Sequence, residues 1–185
     1  MSAADEQQLI LQAKEGRDGA FRLLVERHMK QAYNIAYGFL HNHDDAEDAA
    51  QEAFVRIHQS IGTFRGDAVF TTWLYRIVMN LSLNRIRQRS SRSRRELELT
   101  EELIEGAADP HIEAQEQETR LRIERALHEL PTLQRATVIL RHINGLSTKQ
   151  VSAILSCSEG TIKTHLFRGL KKMRTVLDHE QDGQR

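Results

Sequence analysis

The chain has 185 residues, 39% of them hydrophobic and 28% charged, with basic and acidic side chains in equal number. That composition supports one or two small cores and excludes a disordered or fibrous chain. A single cysteine, Cys157, excludes an intrachain disulfide; no apolar run approaches the ~20 residues that span a bilayer, and the polar start, residues 1–6, has no signal-peptide core, so a cytoplasmic setting is expected.

Long runs of Ala, Leu, Glu, Gln and Arg favour helix, and no alternating apolar pattern suggests a strand, so an all-α fold is expected. A short helix is expected at 6–14. A second carries Phe21, Leu24, Val25, His28, Ala32, Ile35, Ala36 and Phe39 on one stripe at three-and-four spacing. Asp44 is the expected N-cap of a third helix, with Glu47 completing a capping box, and its inward face is Ala46, Ala49, Ala50, Ala53, Phe54 and Ile57. Gly62 and Gly66 then break the helical pattern. A fourth helix, 70–87, turns Phe70, Trp73, Leu74, Ile77, Val78 and Leu81 inward and leaves Tyr75 and Arg76 off the stripe.

Beyond this point the charges are sorted. Arg85, Arg87, Arg89, Arg92, Arg94 and Arg95 form a block without an acid, and residues 96–118 invert it, with many Glu and Asp but no Lys or Arg. Such blocks fit a polyanion contact followed by a solvated acidic connector, expected at 91–110. Asp109 and Pro110 read as an N-cap and first helical residue, and Pro131 limits that helix to 130.

Residues 133–177 have the proportions of a helix-turn-helix. Leu133, Ala136, Leu140 and Ile143 pattern one helix, ended by Gly145 as a left-handed cap. Ser147 and Gln150 form the capping box of the next, with Val151, Ile154 and Leu155 inward. After a turn at 156–158, Ser158 caps a last, basic helix striped by Ile162, Leu166, Leu170, Met173 and Leu177.

The outward faces suggest three contacts. On the last helix, Glu159, Thr161, Lys163 and Thr164 suit base edges in a major groove, and Arg168, Lys171 and Lys172 suit phosphates. On the third helix, Asp48, Gln51, Glu52, Val55 and Gln59 would repel DNA and fit a protein surface with basic groups. Phe64, Arg65, Tyr75, Arg76, Asn80, Asn84 and Arg87 place aromatic, amide and basic groups together, which fits unstacked single-stranded bases. His41, His43, Asp44 and Asp45 could hold a divalent ion, but Asp44 already has a capping role, so no metal and no cofactor is expected.

These segments closely resemble the extracytoplasmic-function (group four) sigma factors of bacterial RNA polymerase. Residues 45–57, DAEDAAQEAFVRI, resemble the family's core-polymerase-binding helix. Residues 64–77, FRGDAVFTTWLYRI, continuing to Asn80 and Arg87, are similar to its promoter-melting and −10-reading segment. Leu130 and Pro131, GLSTKQV at 145–151 and SEGTIKTHLFRGL at 158–170 resemble its −35 reader, region 4. The likeness runs from about residue 7 to residue 177, with both motif domains in order.

The resemblance implies region 2 at 1–90, a linker at 91–110 and region 4 at 111–185. Asp48, Gln51, Glu52 and Val55 would contact core polymerase, with Val55 also meeting an anti-sigma factor. Phe64, Arg65, Asp67, Tyr75, Arg76, Asn80, Asn84 and Arg87 would read the melted −10 strand, the loop 64–70 capturing a flipped base. Glu159, Thr161, Lys163, Thr164, Arg168 and Lys171 would read duplex −35 DNA. The acidic linker would mimic nascent RNA near the exit path. The family often has an Asp near the position of Asn84, a departure that bears on −10 base preference. It has no catalysis of its own, and the lack of further domains agrees with a short group-four member. The alternative is a conventional helix-turn-helix regulator that binds duplex DNA without polymerase.

Overall fold

The computed structural model describes residues 3–66, 69–96 and 114–182, and the chain divides into two compact units, 1–100 and 101–185. All regular elements among the described residues are helical. The expected linker falls mostly on residues outside that set, as does the cap expected at Asp109 and Pro110.

The N-terminal unit contains α1 (Ala3–Lys14), α2 (Asp18–Leu40), α3 (His43–Ser60), a 3-10 turn (Ile61–Thr63) and α4 (Phe70–Glu96). Helix α2 is the hub, packed against α1, α3 and α4. Its apolar stripe supplies Leu24, Ala32, Ile35, Ala36 and Phe39 to the core, with Phe21 and Val25 half-buried at the rim. Ala46, Ala49, Ala50 and Ala53 of α3 are wholly buried. Side chains this small let the α3 backbone approach its neighbours closely, and Phe54 and Ile57 fill the space beyond.

The start of α3 differs from the expected one. His41 is left-handed (φ 51°), Asn42 is extended, and the Asn42 side chain accepts the Asp45 N–H at 2.9 Å. Asn42, not Asp44, is therefore the cap. Asp44 and Asp45 instead fall in the first turn, where their charge favours the positive helix end. Helix α4 also runs past 87, to Glu96. Because it packs on both α2 and α3, its buried face is wider than one stripe. Tyr75 is buried, whereas Trp73 and Ile77 are only half-buried.

The C-terminal unit contains α5 (Ala114–His128), α6 (Thr132–Val138) continuing into a π-helical turn (Ile139–Ile143), α7 (Thr148–Leu155) and α8 (Glu159–Asp182). Arg135 donates to the His128 and Leu130 carbonyls (2.6 and 3.4 Å), which ties the end of α5 to α6 across Pro131. Gly145 is left-handed (φ 66°), and the Leu146 N–H reaches back to the Leu140 carbonyl at 3.0 Å, closing the helix end. The Ser147–Gln150 capping box is formed in both directions. Ser158 caps α8 by accepting the Thr161 N–H at 3.1 Å.

Ala126, Leu127, Leu130, Ala136, Val138, Ile139, Leu140, Val151, Ile154 and Ile162 make the core of this unit. Helix α8 approaches α6 at Gly169, where a Cβ would lie 2.9 Å from Val138 Cγ2. The later α8 stripe is wetter than expected: Leu166, Met173 and Leu177 are half-buried, and Leu170 is exposed. Among the described residues, no helix is long and apolar enough to cross a membrane.

Candidate protein and nucleic-acid interfaces

The first surface is the acidic face of α3. Asp48, Gln51 and Val55 are exposed, and Glu52 is half-buried. Arg85 of α4 reaches over this face. Its guanidinium lies 3.3 Å from Glu52 and 3.6 Å from Asp48, and it donates to the Asp45 carbonyl at 3.1 Å. Arg56 pairs with Glu52 at 2.6 Å, and Arg89 pairs with Asp45. The basic block read from the sequence is thus partly folded back on the acids. The Arg56–Glu52 pair is exposed and contributes only about 0–1 kcal/mol, so a basic partner surface can exchange with it, whereas the Arg85 guanidinium is largely covered.

The second surface surrounds the loop before α4. Phe64 lies face to face with Trp73, centroids 4.9 Å apart and planes 22° from parallel, and meets Phe70 edge-on at 6.1 Å. Phe70 is buried and packs on the His28 ring at 5.4 Å. Phe64 and Trp73 stay half-buried, so their edges form an open aromatic wall on a closed base. The chain turns beside it at Gly66 (φ 80°), a left-handed conformation that favours glycine. Arg65 and Val69 are exposed, and Asp67 lies outside the described residues.

Asn80, Asn84 and Arg87 line one side of α4; Asn80 and Asn84 follow one another at one-turn spacing, and Arg76 is half-buried. Tyr75, expected among them, is not on this surface. It is 4% exposed, and its hydroxyl donates to Gln31 Oε1 at 2.8 Å. Burial, followed by the Glu6 charge, raises its phenol above the ordinary value of 10.0. Tyr75 is a core residue with a satisfied hydroxyl and cannot stack on a base.

The third surface is α8. Glu159, Thr161, Lys163, Thr164, Arg168 and Lys171 are all exposed. The Thr161 and Ser158 hydroxyls lie 2.8 Å apart, and Thr164 donates to the Gly160 carbonyl at 3.0 Å, so the first turn holds its side chains in place. Lys163, Arg168 and Lys171 enter no ion pair among the described residues. Lys172 behaves differently: it donates to the Glu129 carbonyl and braces α8 against the end of α5, rather than standing free for phosphate. The sequence reading also passed over Phe167, 69% exposed and one turn from both Lys163 and Lys171. Its place off the α8 stripe was the available signal. Among the described residues, no group of three or more His, Cys, Asp or Glu comes together to hold a metal.

Comparison with known proteins follows the same division. The family model for Sigma-70 region 2 matches residues 24–92, and that for Sigma-70 region 4 matches residues 120–173. The chain is 31% identical to the RNA polymerase sigma-H factor of Pseudomonas aeruginosa over 96% of each protein. It is likewise 31% identical to the ECF RNA polymerase sigma factor SigW of Bacillus subtilis, covering 91% of this chain and 94% of the relative. The fold resembles that of CnrH, solved in complex with the cytosolic domain of CnrY, with a TM-score of 0.70 at 24% identity over 95% of this chain and 98% of the other. It also resembles the sigma factor RpoE of Bartonella quintana, solved with the anti-sigma factor NepR, with a TM-score of 0.66 at 22% identity over 85% and 96%.

Proposed function

The chain belongs to the extracytoplasmic-function sigma factors of bacterial RNA polymerase, and from that premise we propose how its surfaces share the work of promoter recognition. As a sigma factor it binds core polymerase and directs promoter-specific initiation. Polymerase makes the phosphodiester bonds, and this chain has no catalysis of its own. It works in the cytoplasm, where core polymerase and DNA are.

Asp48, Gln51, Glu52 and Val55 form the core-polymerase contact. Region 2 occupies about 1–90, the acidic connector 91–110 and region 4 about 111–185, the end of α4 running into the connector. Phe64, Arg65, Arg76, Asn80, Asn84 and Arg87, with Asp67 from the same loop, read the melted −10 strand. Trp73 joins them in place of Tyr75. Glu159, Thr161, Lys163, Thr164, Arg168 and Lys171 read duplex −35 DNA, the first turn facing base edges and the later cations facing phosphates. An anti-sigma factor holds the protein inactive by covering the polymerase-binding surface around Val55.

The observation that carries this reading is the half-open Phe64–Trp73 wall on the same unit as Asn80, Asn84 and Arg87 of α4. A duplex reader has no use for an aromatic wall of this kind, whereas an unstacked base gains ~1–3 kcal/mol by stacking on one. The test is to add the chain to core polymerase and map transcript starts across genomic DNA. Starts that share a −35/−10 motif are expected. Random starts, or duplex binding that never engages core polymerase, would overturn the assignment.

A further inference from the structure

Helix α1 precedes the residues matched by the region 2 model, which begin at 24, yet it touches the aromatic wall from two directions. Leu9, Ile10 and Ala13 are buried, fixing α1 on α2 and beside the 3-10 turn. At its C-terminal end, Lys14 Nζ donates to the carbonyl oxygen of Phe64 at 3.0 Å. Phe64 is the residue at which the chain leaves the 3-10 turn. Its N–H is bonded back to Ile61, and its backbone is extended, so its own carbonyl has left the turn's hydrogen-bond pattern. Lys14 supplies the donor from outside.

At the other end of α1, a Glu6 carboxylate oxygen lies 3.2 Å from His28 Nε2 and 3.5 Å from Arg27. The buried His28 ring packs on Phe70, the floor of the wall. His28 Nδ1 lies 3.4 Å from Gln31 Oε1, the atom that also accepts the Tyr75 hydroxyl. Helix α1 therefore contacts the wall's backbone through Lys14 and its floor through Glu6 and His28.

We propose that α1 is a brace for the Phe64–Trp73 wall, and that Lys14 is a positioning residue that keeps Phe64 in register with Trp73. The inference rests on reading that wall as the single-strand reader. Face-to-face stacking depends on where the Phe64 backbone sits. Gly66, only two residues further on, turns the chain in a left-handed conformation and has no side chain to anchor the loop. A lysine on a helix anchored by Leu9, Ile10 and Ala13 holds the Phe64 backbone and leaves the rings uncovered. A segment outside the matched region thus sets how well the −10 strand is held.

Trp73 is the only tryptophan in the chain, so its fluorescence reports the wall directly. Lys14→Met keeps the aliphatic stem and removes the donor, and Lys14→Arg restores one. In the free full-length chain, Lys14→Met is expected to shift Trp73 emission and raise its quenching by acrylamide, with helix content unchanged. Assembled with core polymerase, the same variant is expected to lower permanganate-reactive −10 opening about tenfold. Core affinity and closed duplex binding stay as they are, and Lys14→Arg recovers opening.

Phe64→Ala separates the two ideas. If Phe64→Ala abolishes opening while Lys14→Met alters neither emission nor opening, the brace is wrong and the wall reading stands. If Phe64→Ala also leaves opening intact, the wall is not the strand reader and the proposal falls with it. Failure of Lys14→Arg to recover opening would equally overturn the donor role.

Discussion

The acidic face of α3 and the basic face of α8 look like counterparts in a charge count, but the two units treat them oppositely. In the N-terminal unit the charges are engaged before any partner arrives: Arg85 spans Asp48 and Glu52, and Arg56 holds Glu52 from the other side. The aromatic wall is likewise pre-stacked on a buried floor. In the C-terminal unit, Lys163, Arg168 and Lys171 stand in water with no ion pair among the described residues. The difference matches the ligands proposed. A protein surface or a splayed base demands fixed geometry, whereas phosphates reward charge density and tolerate side-chain motion. Preorganisation belongs to the first unit and electrostatics to the second.

The sharpest way to break this comparison is to reverse the engaged face. Asp48→Arg with Glu52→Arg is expected to weaken core polymerase binding about 100-fold, since close charge pairs across an interface couple by ~1.5–7 kcal/mol and reversal turns attraction into repulsion. Unchanged affinity in a direct binding assay would remove α3 from the interface. Next in size is the wall. Trp73→Ala should reduce −10 opening about 10- to 100-fold, the effect of removing one stacked ring, while leaving −35 duplex binding intact. Equal losses at both elements would show a folding defect instead.

The open face is tested with salt. Single changes Lys163→Gln, Arg168→Gln and Lys171→Gln should each lower the slope of log affinity against log salt by about 1 where the cation neutralises a phosphate. Glu159→Gln should change base preference rather than slope. A slope unmoved by all three cation changes would mean that α8 does not lie on DNA.

Two smaller effects test the packing behind each surface. In the C-terminal unit, Gly169→Ala gains roughly 1 kcal/mol of helix propensity but drives a Cβ to 2.9 Å from Val138, an overpacking cost of about 1–3 kcal/mol. A modest net fall in melting temperature is expected, and a rise would show that the α6–α8 crossing yields easily. In the N-terminal unit, the Tyr75 phenol is raised above 10.0 on folding. Its contribution is therefore fully present below pH ~10 and lost as pH rises through the folded value. Denaturant titrations should show an alkaline loss of stability that Tyr75→Phe diminishes.

Much of this arrangement was legible from local signals. The Ser147–Gln150 box, the Ser158 cap and the left-handed Gly145 depend on side chains bonding backbone groups within a few residues, so the sequence states them nearly completely. The stripes of α2 and α3 were equally plain, because their buried side chains keep to three-and-four spacing. The cap of α3 was misplaced by two residues: Asn42 depends on His41 turning left-handed, a conformation that histidine favours only weakly. Helix α4 was misread at Tyr75 because two neighbours widen its buried face. That width is a property of the packing and not of the helix.

By itself, then, the sequence determined which segments are helical, where α4, α7 and α8 begin, how the charges are sorted and which family motifs recur. The helices and their starts depend on short-range periodicity and capping chemistry, and the charge blocks and motifs on residue order alone. Only the tertiary structure decided that Arg85 covers the acids of α3, that Trp73 rather than Tyr75 completes the wall, that Gly169 admits α6 and that Lys14 reaches Phe64. Each of these pairs residues distant along the chain, and a meeting of that kind is set by how the helices cross.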